Sequence, residues 1–152
     1  MIEKYTHNVY ETESLGLRLA QSIPNNTYPL IALEGPLGSG KTHFVKGIAK
    51  GLKIEDIVNS PTYNIMKIYK SKASNNILYH FDFYRLNQIG YDVDLEEYIY
   101  GKAVKVIEWA NNLKEIIPKK KINIRFEILK DNKRKISISS NLEYFKGIKE
   151  LL

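Results

Sequence analysis

The stretch GPLGSGKT, Gly35–Thr42, decides how this 152-residue sequence folds. It satisfies the pattern G-x-x-x-x-G-K-[S/T], in which a glycine-rich loop closes around phosphate groups. The apolar run Leu30–Leu33 precedes it and is typical of a strand buried on both faces. Residues with helical spacing follow it, from Phe44 to Leu52, and Gly51 is well placed to end that helix. Strand, loop and helix in this order predict an α/β fold built around a phosphate-binding loop.

Each residue type in this loop has a chemical use. Glycine has no Cβ, so backbone N–H groups can approach phosphate oxygens closely. The first turn of the following helix adds unpaired N–H donors and the positive end of the helix dipole. Lys41 can reach the β- and γ-phosphates of a nucleotide, and the Thr42 hydroxyl can bind Mg²⁺. A connector that matches by chance is the alternative, but glycine frequency makes that a roughly one-in-several-hundred event for a chain of this size.

The rest of the chain predicts a mixed central sheet. Tyr63–Tyr69 and Ile77–Leu86 are two predicted strands joined by a polar turn, which favours an antiparallel hairpin. Further strands are predicted at Ala103–Ile107, Ile122–Ile128 and Lys135–Ser139. Helices are predicted at 12–23 with Thr12 as the cap, at Asp94–Tyr100, and from Leu142 to Leu152 with Asn141 as the cap. The predicted fold class is therefore α/β: a P-loop NTPase-like three-layer sandwich with a sheet of parallel and antiparallel strands.

Length and composition limit the class of protein. With 43% hydrophobic and 26% charged residues, the chain is an ordinary globular protein, and we expect one domain over residues 1–152. The absence of cysteine excludes a disulfide framework and a cysteine nucleophile. No apolar stretch has the length of a signal peptide or a membrane span, so we expect a cytoplasmic protein. The net charge of +6 permits an anionic partner.

Two acidic residues are candidates to hold a metal or orient water beside the loop. Asp82 lies between aromatic residues in an apolar strand, and Glu108 ends the apolar run Val104–Ile107. A lone carboxylate buried at such a place is costly without a cation. The alternative for each is an acid at a solvated strand end, and for Glu108 the sequence alone leaves that alternative open.

Four motifs in order resemble one known family. They are the loop Gly35–Thr42, then Ser60–Tyr63 (SPTY), His80–Leu86 (HFDFYRL) and Ile107–Trp109 (IEW). Together they resemble the TsaE (YjeE) family, the bacterial ATPase needed for threonylcarbamoyl-adenosine modification of tRNA. The resemblance extends from about Thr12 to the C-terminal helix. It implies a P-loop ATPase domain that binds ATP and Mg²⁺.

The resemblance also implies roles for individual residues. Thr42 and Glu108 match the family's magnesium-binding positions, Asp82 matches the acidic residue of its second nucleotide motif, and Thr62 corresponds to a switch-like residue near the γ-phosphate. With Lys41, these acids and Thr62 are the implied catalytic residues. The implied nucleotide-binding residues are Thr12, Gly35, Pro36, Leu37, Gly38, Ser39, Gly40, Lys41, Thr42 and Arg134. Arg134 is chosen from Asn132–Lys135, where the spacing departs slightly from the family pattern.

The resemblance implies partners as well. The transferase would be TsaD, joined with TsaB, and this chain would hydrolyse ATP to reset that complex. Contact with tRNA would then be indirect, through the complex, and no membrane contact is expected. A small-molecule kinase is the main alternative, although no arginine-bearing lid follows the loop. A GTPase would normally carry N/T-K-x-D, which the sequence lacks, and a pure binding module would need neither of the two acids.

The sequence leaves the roles of three further residues open. His80 alternates with Asp82 along one strand and would share its face, so it could tune that acid or be a satisfied, partly buried histidine. Arg85 could be an arginine finger, although a structural role is the more economical interpretation. Trp109 could close over a nucleotide, pack on a partner, or belong to the core.

Overall fold

The computed structural model describes residues 1–86 and 94–152, and within them seven strands form one mixed sheet. The strand order is β1-β7-β6-β2-β5-β4-β3. The strands are β1 (Ile2–Thr6), β2 (Leu30–Glu34), β3 (Met66–Lys70), β4 (Ile77–Asp82), β5 (Val104–Glu108), β6 (Ile122–Ile128) and β7 (Arg134–Ser140).

Parallel pairing dominates the centre of the sheet and antiparallel pairing its two edges. Strand β2 pairs in parallel with both β5 and β6, and β5 pairs in parallel with β4. Strands β3 and β4 form the predicted antiparallel hairpin, and β7 is antiparallel to both β6 and β1. Because parallel strands end at the same edge, the last residues of β2, β4 and β5 lie side by side, with Asp82 in register with Glu108.

Two apolar clusters cover the two faces of the sheet. The helices are α1 (Val9–Ser22), α2 (Lys41–Gly51), α3 (Leu95–Ile99) and α4 (Phe145–Leu151), with 3₁₀ turns at Ala110–Leu113 and Lys130–Asn132. On one face, α1, α2 and α4 pack on Ile31 and Leu33; on the other, α3 and the first 3₁₀ turn share a cluster with Leu30 and Ala32. Strand β2 is therefore buried on both faces, as predicted, and the α/β sandwich with a mixed sheet is confirmed. Within residues 1–86 and 94–152, no helix combines the length and apolarity needed to cross a membrane.

The first helix begins earlier than predicted. Asn8, not Thr12, is its N-cap: the Asn8 side chain accepts a hydrogen bond from the Glu11 backbone N–H at 2.9 Å. The Glu11 carboxylate in turn accepts from the His7 N–H at 2.8 Å. In an ordinary capping box the acid accepts from the N–H of the cap residue; here Glu11 accepts from the residue before the cap, His7. The Asn8 side chain satisfies the Glu11 N–H, which the helix itself leaves unpaired. Thr12 is instead buried inside the helix.

Other boundaries also differ from the predictions. The predicted strands of the hairpin are shorter than expected, because β3 begins only at Met66 and β4 ends at Asp82. The final helix begins at Phe145, and Asn141 does not cap it; the Asn141 side chain accepts from the Lys121 N–H at 3.2 Å instead. Strand β1 was not predicted, because its edge position beside β7 leaves only a weak alternation of buried side chains.

Helices α1 and α2 approach each other so closely that glycine is required at the contact. A Cβ at Gly47 would lie 1.9 Å from the Glu13 carbonyl oxygen, and one at Gly16 would lie 2.2 Å from that of Phe44. Both obstacles are backbone atoms, which a rotamer change cannot move aside. The close approach brings α1 against the helix that follows the glycine loop.

Replacing Gly47 by alanine should therefore destabilise the fold. We expect Gly47→Ala to lower the free energy of unfolding by about 2–3 kcal/mol, because the added methyl group overpacks a backbone contact. Gly147 is the matched control: it lies in α4, and a Cβ there meets nothing within 4 Å. Gly147→Ala should raise stability by roughly 0.5–1 kcal/mol through better helix propensity. Urea denaturation of both variants measures the difference, and equal stabilities would contradict the close contact.

Candidate functional site

A cleft of about 490 Å³ opens at the carboxyl edge of the parallel strands. Ligands of open α/β sheets bind at this edge, where the loops after the strands converge. The cleft is lined by eleven of the residues that the sequence singled out: Thr12, Leu37, Gly38, Ser39, Gly40, Lys41, Thr42, Thr62, Asp82, Glu108 and Arg134. Gly35 and Pro36 do not line it, but their carbonyl oxygens accept hydrogen bonds from Lys41, which does.

The loop between β2 and α2 has the backbone shape of a cradle. Gly40 precedes α2 with φ 102°, a conformation that side chains disfavour, and supplies no side-chain cap. The first N–H groups of α2 are therefore left for another acceptor. Gly35 is constrained sterically, because a Cβ there would lie 2.8 Å from the backbone oxygen of Phe126. The loop can follow this path only with glycine at these positions.

Lys41 holds the inside of the loop together. Its Nζ donates to the carbonyl oxygens of Gly35 at 2.7 Å and Pro36 at 2.9 Å. Burial lowers the pKa of the Lys41 ammonium group, although the nearby charges of Glu108 and Asp82 act to raise it. The ammonium group also lies 4.6 Å from the centre of the Trp109 ring, a cation–π distance. The structure thus places a constrained cation at the floor of the cleft.

Residues distant in sequence form the walls beside the loop. The hydroxyls of Thr12 and Thr6 are 2.9 Å apart, which ties α1 to the end of β1. Arg134, at the start of β7, donates to the carbonyl oxygen of Gly38 at 3.3 Å and to that of Asn132. The arginine selected from the basic stretch therefore contacts the glycine loop directly.

Asp82 is held by the loop that precedes the hairpin. One of its carboxylate oxygens accepts from the Ser60 hydroxyl at 2.7 Å and the Thr62 hydroxyl at 2.9 Å. The other accepts from the Tyr84 backbone N–H at 2.9 Å. Hydrogen bonds of this number satisfy an ionised, buried carboxylate. The SPTY motif and Asp82 are thus a single hydrogen-bonded unit.

Glu108 is held by a histidine rather than by hydroxyl groups. The carboxylate is buried, and its Oε1 lies 2.9 Å from Nε2 of His80. Two interpretations of His80 were left open, a residue that tunes Asp82 and a satisfied, partly buried histidine; the side chain is wholly buried and its partner is Glu108. The reason is the register: Asp82 pairs with Glu108 across β4 and β5, so His80, two residues earlier on the same face, reaches Glu108 diagonally.

Aromatic side chains close one side of the cleft. Trp109 follows Glu108 with φ 59°, a left-handed conformation that turns the chain sharply at the end of β5. Its ring packs on Tyr84, with centroids 5.0 Å apart. Trp109 therefore lines the cleft and also packs, partly buried, against the second apolar cluster, so two of the alternatives left open by the sequence hold together. Arg85 stacks on the Tyr63 ring at 4.6 Å and does not line the cleft.

Several cleft residues were not predicted as site residues. Asn8, Val9, His43, Ser60 and Tyr84 line it as well. Local signals exist for some of them: Ser60 and Tyr84 belong to the quoted motifs, and Asn8 with Glu11 has the spacing of a capping box. Val9 and His43 adjoin the cleft residues Asn8 and Thr42 in the chain, but their residue types carry no such signal.

Strand β2, the glycine loop, helix α2 and the two strand-end acids together define a P-loop NTPase-like α/β protein. Comparison with known proteins narrows this class. A family model described as threonylcarbamoyl adenosine biosynthesis protein TsaE matches residues 6–136. The chain belongs to the TsaE family, as its four motifs predicted.

Individual relatives agree with this assignment. A protein named tRNA threonylcarbamoyladenosine biosynthesis protein TsaE from Bacillus subtilis (strain 168) is 38% identical over 136 residues, covering 89% of this chain and 83% of that protein. One of the same name from Treponema pallidum (strain Nichols) is 36% identical over 112 residues, covering 72% and 81%. The crystal structure of Bacillus subtilis YdiB superimposes with a TM-score of 0.77 at 31% identity, covering 99% of this chain and 93% of that one.

Proposed function

We propose that this protein is a Mg²⁺-dependent ATPase that acts in threonylcarbamoyl-adenosine modification of tRNA. The observation that carries the proposal is the convergence of Lys41, Thr42, Asp82 and Glu108 on one cleft at the glycine loop. A cation, a hydroxyl group and two carboxylates are the groups that phosphoryl transfer from a nucleotide needs. The pathway rests on membership of the TsaE family.

The loop fits the phosphates of a nucleotide. Uncapped N–H groups at the start of α2 and the constrained Lys41 ammonium group offer donors to anionic oxygens. The Ser39 hydroxyl is buried and has no hydrogen-bond partner among the described residues, so it is a further polar group in the loop that a ligand could satisfy. We therefore infer that the triphosphate lies along Gly35–Thr42, with Arg134 and Thr12 on either side.

The donor set also fits Mg²⁺. Thr42 and Glu108 line the cleft beside Lys41 and offer only oxygen atoms. Among residues 1–86 and 94–152, no three His, Cys, Asp or Glu residues form a metal cage. This agrees with Mg²⁺, which is commonly held by one or two protein groups together with phosphate oxygens and water. When bound, Mg²⁺ would supply positive charge that neutralises the charge developing on the phosphates.

In this proposal the residues of the chain have separate roles. Lys41 would bind the phosphates, while Thr42 and Glu108 would hold the metal. Asp82 would orient the attacking water or a water bound to the metal. Thr62, whose hydroxyl donates to the Asp82 carboxylate at 2.9 Å, would respond to the γ-phosphate. If the Thr62 hydroxyl left Asp82 to bind a phosphate, the loop before the hairpin would change conformation when nucleotide binds.

We further propose that the chain is a single ATPase domain of the cytoplasm that works on a complex of TsaD and TsaB. Support comes from the family name, which points to the pathway. ATP hydrolysis would reset the partner complex, and tRNA would be contacted through it. A small-molecule kinase is the alternative that the same cleft allows.

The first experiment measures phosphate release from ATP by the wild type and by Lys41→Ala. We expect the variant to lose roughly two orders of magnitude or more in turnover, because a charge that binds the developing anion is removed. Lys149→Ala, an exposed lysine in α4, is the matched control and should be unaffected. GTP, and ATP with candidate acceptor molecules, complete the assay. Normal hydrolysis by folded Lys41→Ala would refute the site, and phosphate transfer to an acceptor would favour the kinase.

Turnover should depend on the partner proteins. Arg134 donates to a carbonyl oxygen of the glycine loop and Arg85 lies over the Tyr63 ring, so neither arginine is directed at Asp82 and Glu108. The isolated protein should therefore hydrolyse ATP slowly, and adding TsaD with TsaB should accelerate it by supplying a charge or ordering Ser60–Thr62. Titrating the partner complex against a fixed concentration of this chain measures the effect. Kinase-like rates for the lone chain, unchanged by the partners, would contradict the proposal.

The two acids should respond differently to magnesium. Glu108→Ala should keep nucleotide binding but hydrolyse ATP far more slowly, and raised Mg²⁺ should partly restore its turnover because a ligand has been lost. Asp82→Asn keeps the shape of the side chain and should also slow hydrolysis, but without rescue by metal. Turnover against Mg²⁺ concentration distinguishes them. Rescue of Asp82→Asn alone would mean that the two roles are reversed.

A further inference from the structure

His80 is a buried polar residue whose contacts the proposed function does not use. Its side chain is wholly buried, and its one hydrogen bond among the described residues runs from Nε2 to Oε1 of Glu108 at 2.9 Å. The other ring nitrogen, Nδ1, is buried without a partner in that part of the chain. An apolar side chain would fill the same space without this unsatisfied atom. Packing alone therefore does not account for a histidine here.

The contact fixes which nitrogen carries the hydrogen. An ionised carboxylate only accepts hydrogen bonds, so Nε2 must donate to Glu108. A second N–H at Nδ1 would be a buried donor without an acceptor, which is more costly than an unpaired lone pair. The contact therefore places a hydrogen on Nε2 and leaves Nδ1 as the buried atom without a partner among the described residues.

The same contact divides the two oxygens of the Glu108 carboxylate. Oε1 is engaged by His80, and among residues 1–86 and 94–152 no other side chain or backbone group donates to this carboxylate. Glu108 also lines the cleft. The carboxylate therefore has one oxygen committed to the protein interior and one, Oε2, left for a ligand in the cleft.

We infer that His80 is a positioning residue, which holds the Glu108 carboxylate so that only Oε2 is presented to a divalent cation. The inference deepens the proposed function and rests on it. Ligating carboxylates are usually oriented by such outer hydrogen bonds, whose loss costs about tenfold to a hundredfold in metal affinity. Asp82 needs no such residue because Ser60, Thr62 and the Tyr84 N–H already hold it.

Two variants with amide side chains of different length test the inference. The side-chain nitrogen of His80→Gln can occupy the place of Nε2, whereas that of His80→Asn reaches only the place of Nδ1. The probe is Mn²⁺, titrated by electron paramagnetic resonance into the complex with a non-hydrolysable ATP analogue. We expect His80→Gln to bind Mn²⁺ within about threefold of the wild type and His80→Asn to bind it about tenfold to a hundredfold more weakly. Affinity for the analogue without metal should be the same in all three.

The outcomes separate this inference from the function on which it rests. If the wild type binds no nucleotide, the proposed function fails and the inference with it. If the wild type binds nucleotide and Mn²⁺, and His80→Asn holds Mn²⁺ as tightly, only the inference is refuted. Weakened metal binding in both amide variants would also refute it, because the donor at the Nε2 position would then not matter.

A measurement on the unaltered protein keeps the test independent of how the variants fold. Nitrogen-15 spectra of labelled imidazole rings distinguish the two neutral tautomers, and the three histidines give few signals to assign. We expect His80 to show hydrogen on Nε2, and a Glu108→Gln variant to shift that signal. Hydrogen on Nδ1 with none on Nε2 would mean that Nε2 does not donate to Glu108 and would overturn the inference.

Discussion

The parallel alignment of β2, β5 and β4 is the constraint on which the site depends. It brings the end of β2, from which the glycine loop leaves, to the same edge as Glu108 and Asp82. Had β4 run antiparallel to β5, its acid would lie at the far edge of the sheet. Parallel pairing requires crossover connections, and these carry α2 and the segment before the hairpin over the sheet. The residues that line the cleft follow from this arrangement.

The close contact between α1 and α2 supports the opposite wall of the cleft. Gly16 and Gly47 let the two backbones touch, which brings Thr12 beside Gly40 of the loop. The hydroxyl contact between Thr12 and Thr6 then connects this wall to β1 at the edge of the sheet. The wall is therefore held by backbone packing and one buried polar contact, so its position is coupled to the stability of the fold.

The two acids occupy paired positions but have different surroundings. Asp82 is bound by hydroxyl groups of an irregular segment, which could release it when a phosphate competes. Glu108 is bound by a side chain from within the sheet, where the strand ladder restricts movement. One acid is thus suited to a contact that changes and the other to a contact that persists, and this difference matches the roles proposed for them.

The sequence by itself determined the features that local chemistry controls. The strand–loop–helix unit, the apolar strands and the hairpin could be predicted because glycine, polar turns and apolar spacing act within a few residues. The start of α1, which was predicted too late in the chain, also has a local signal in the capping residues Asn8 and Glu11. Only the tertiary structure decided that His80 holds Glu108, that Arg134 meets Gly38 and that β1 joins the sheet. These contacts join residues far apart in the chain, so they depend on strand order and register, which spacing along one sequence does not encode.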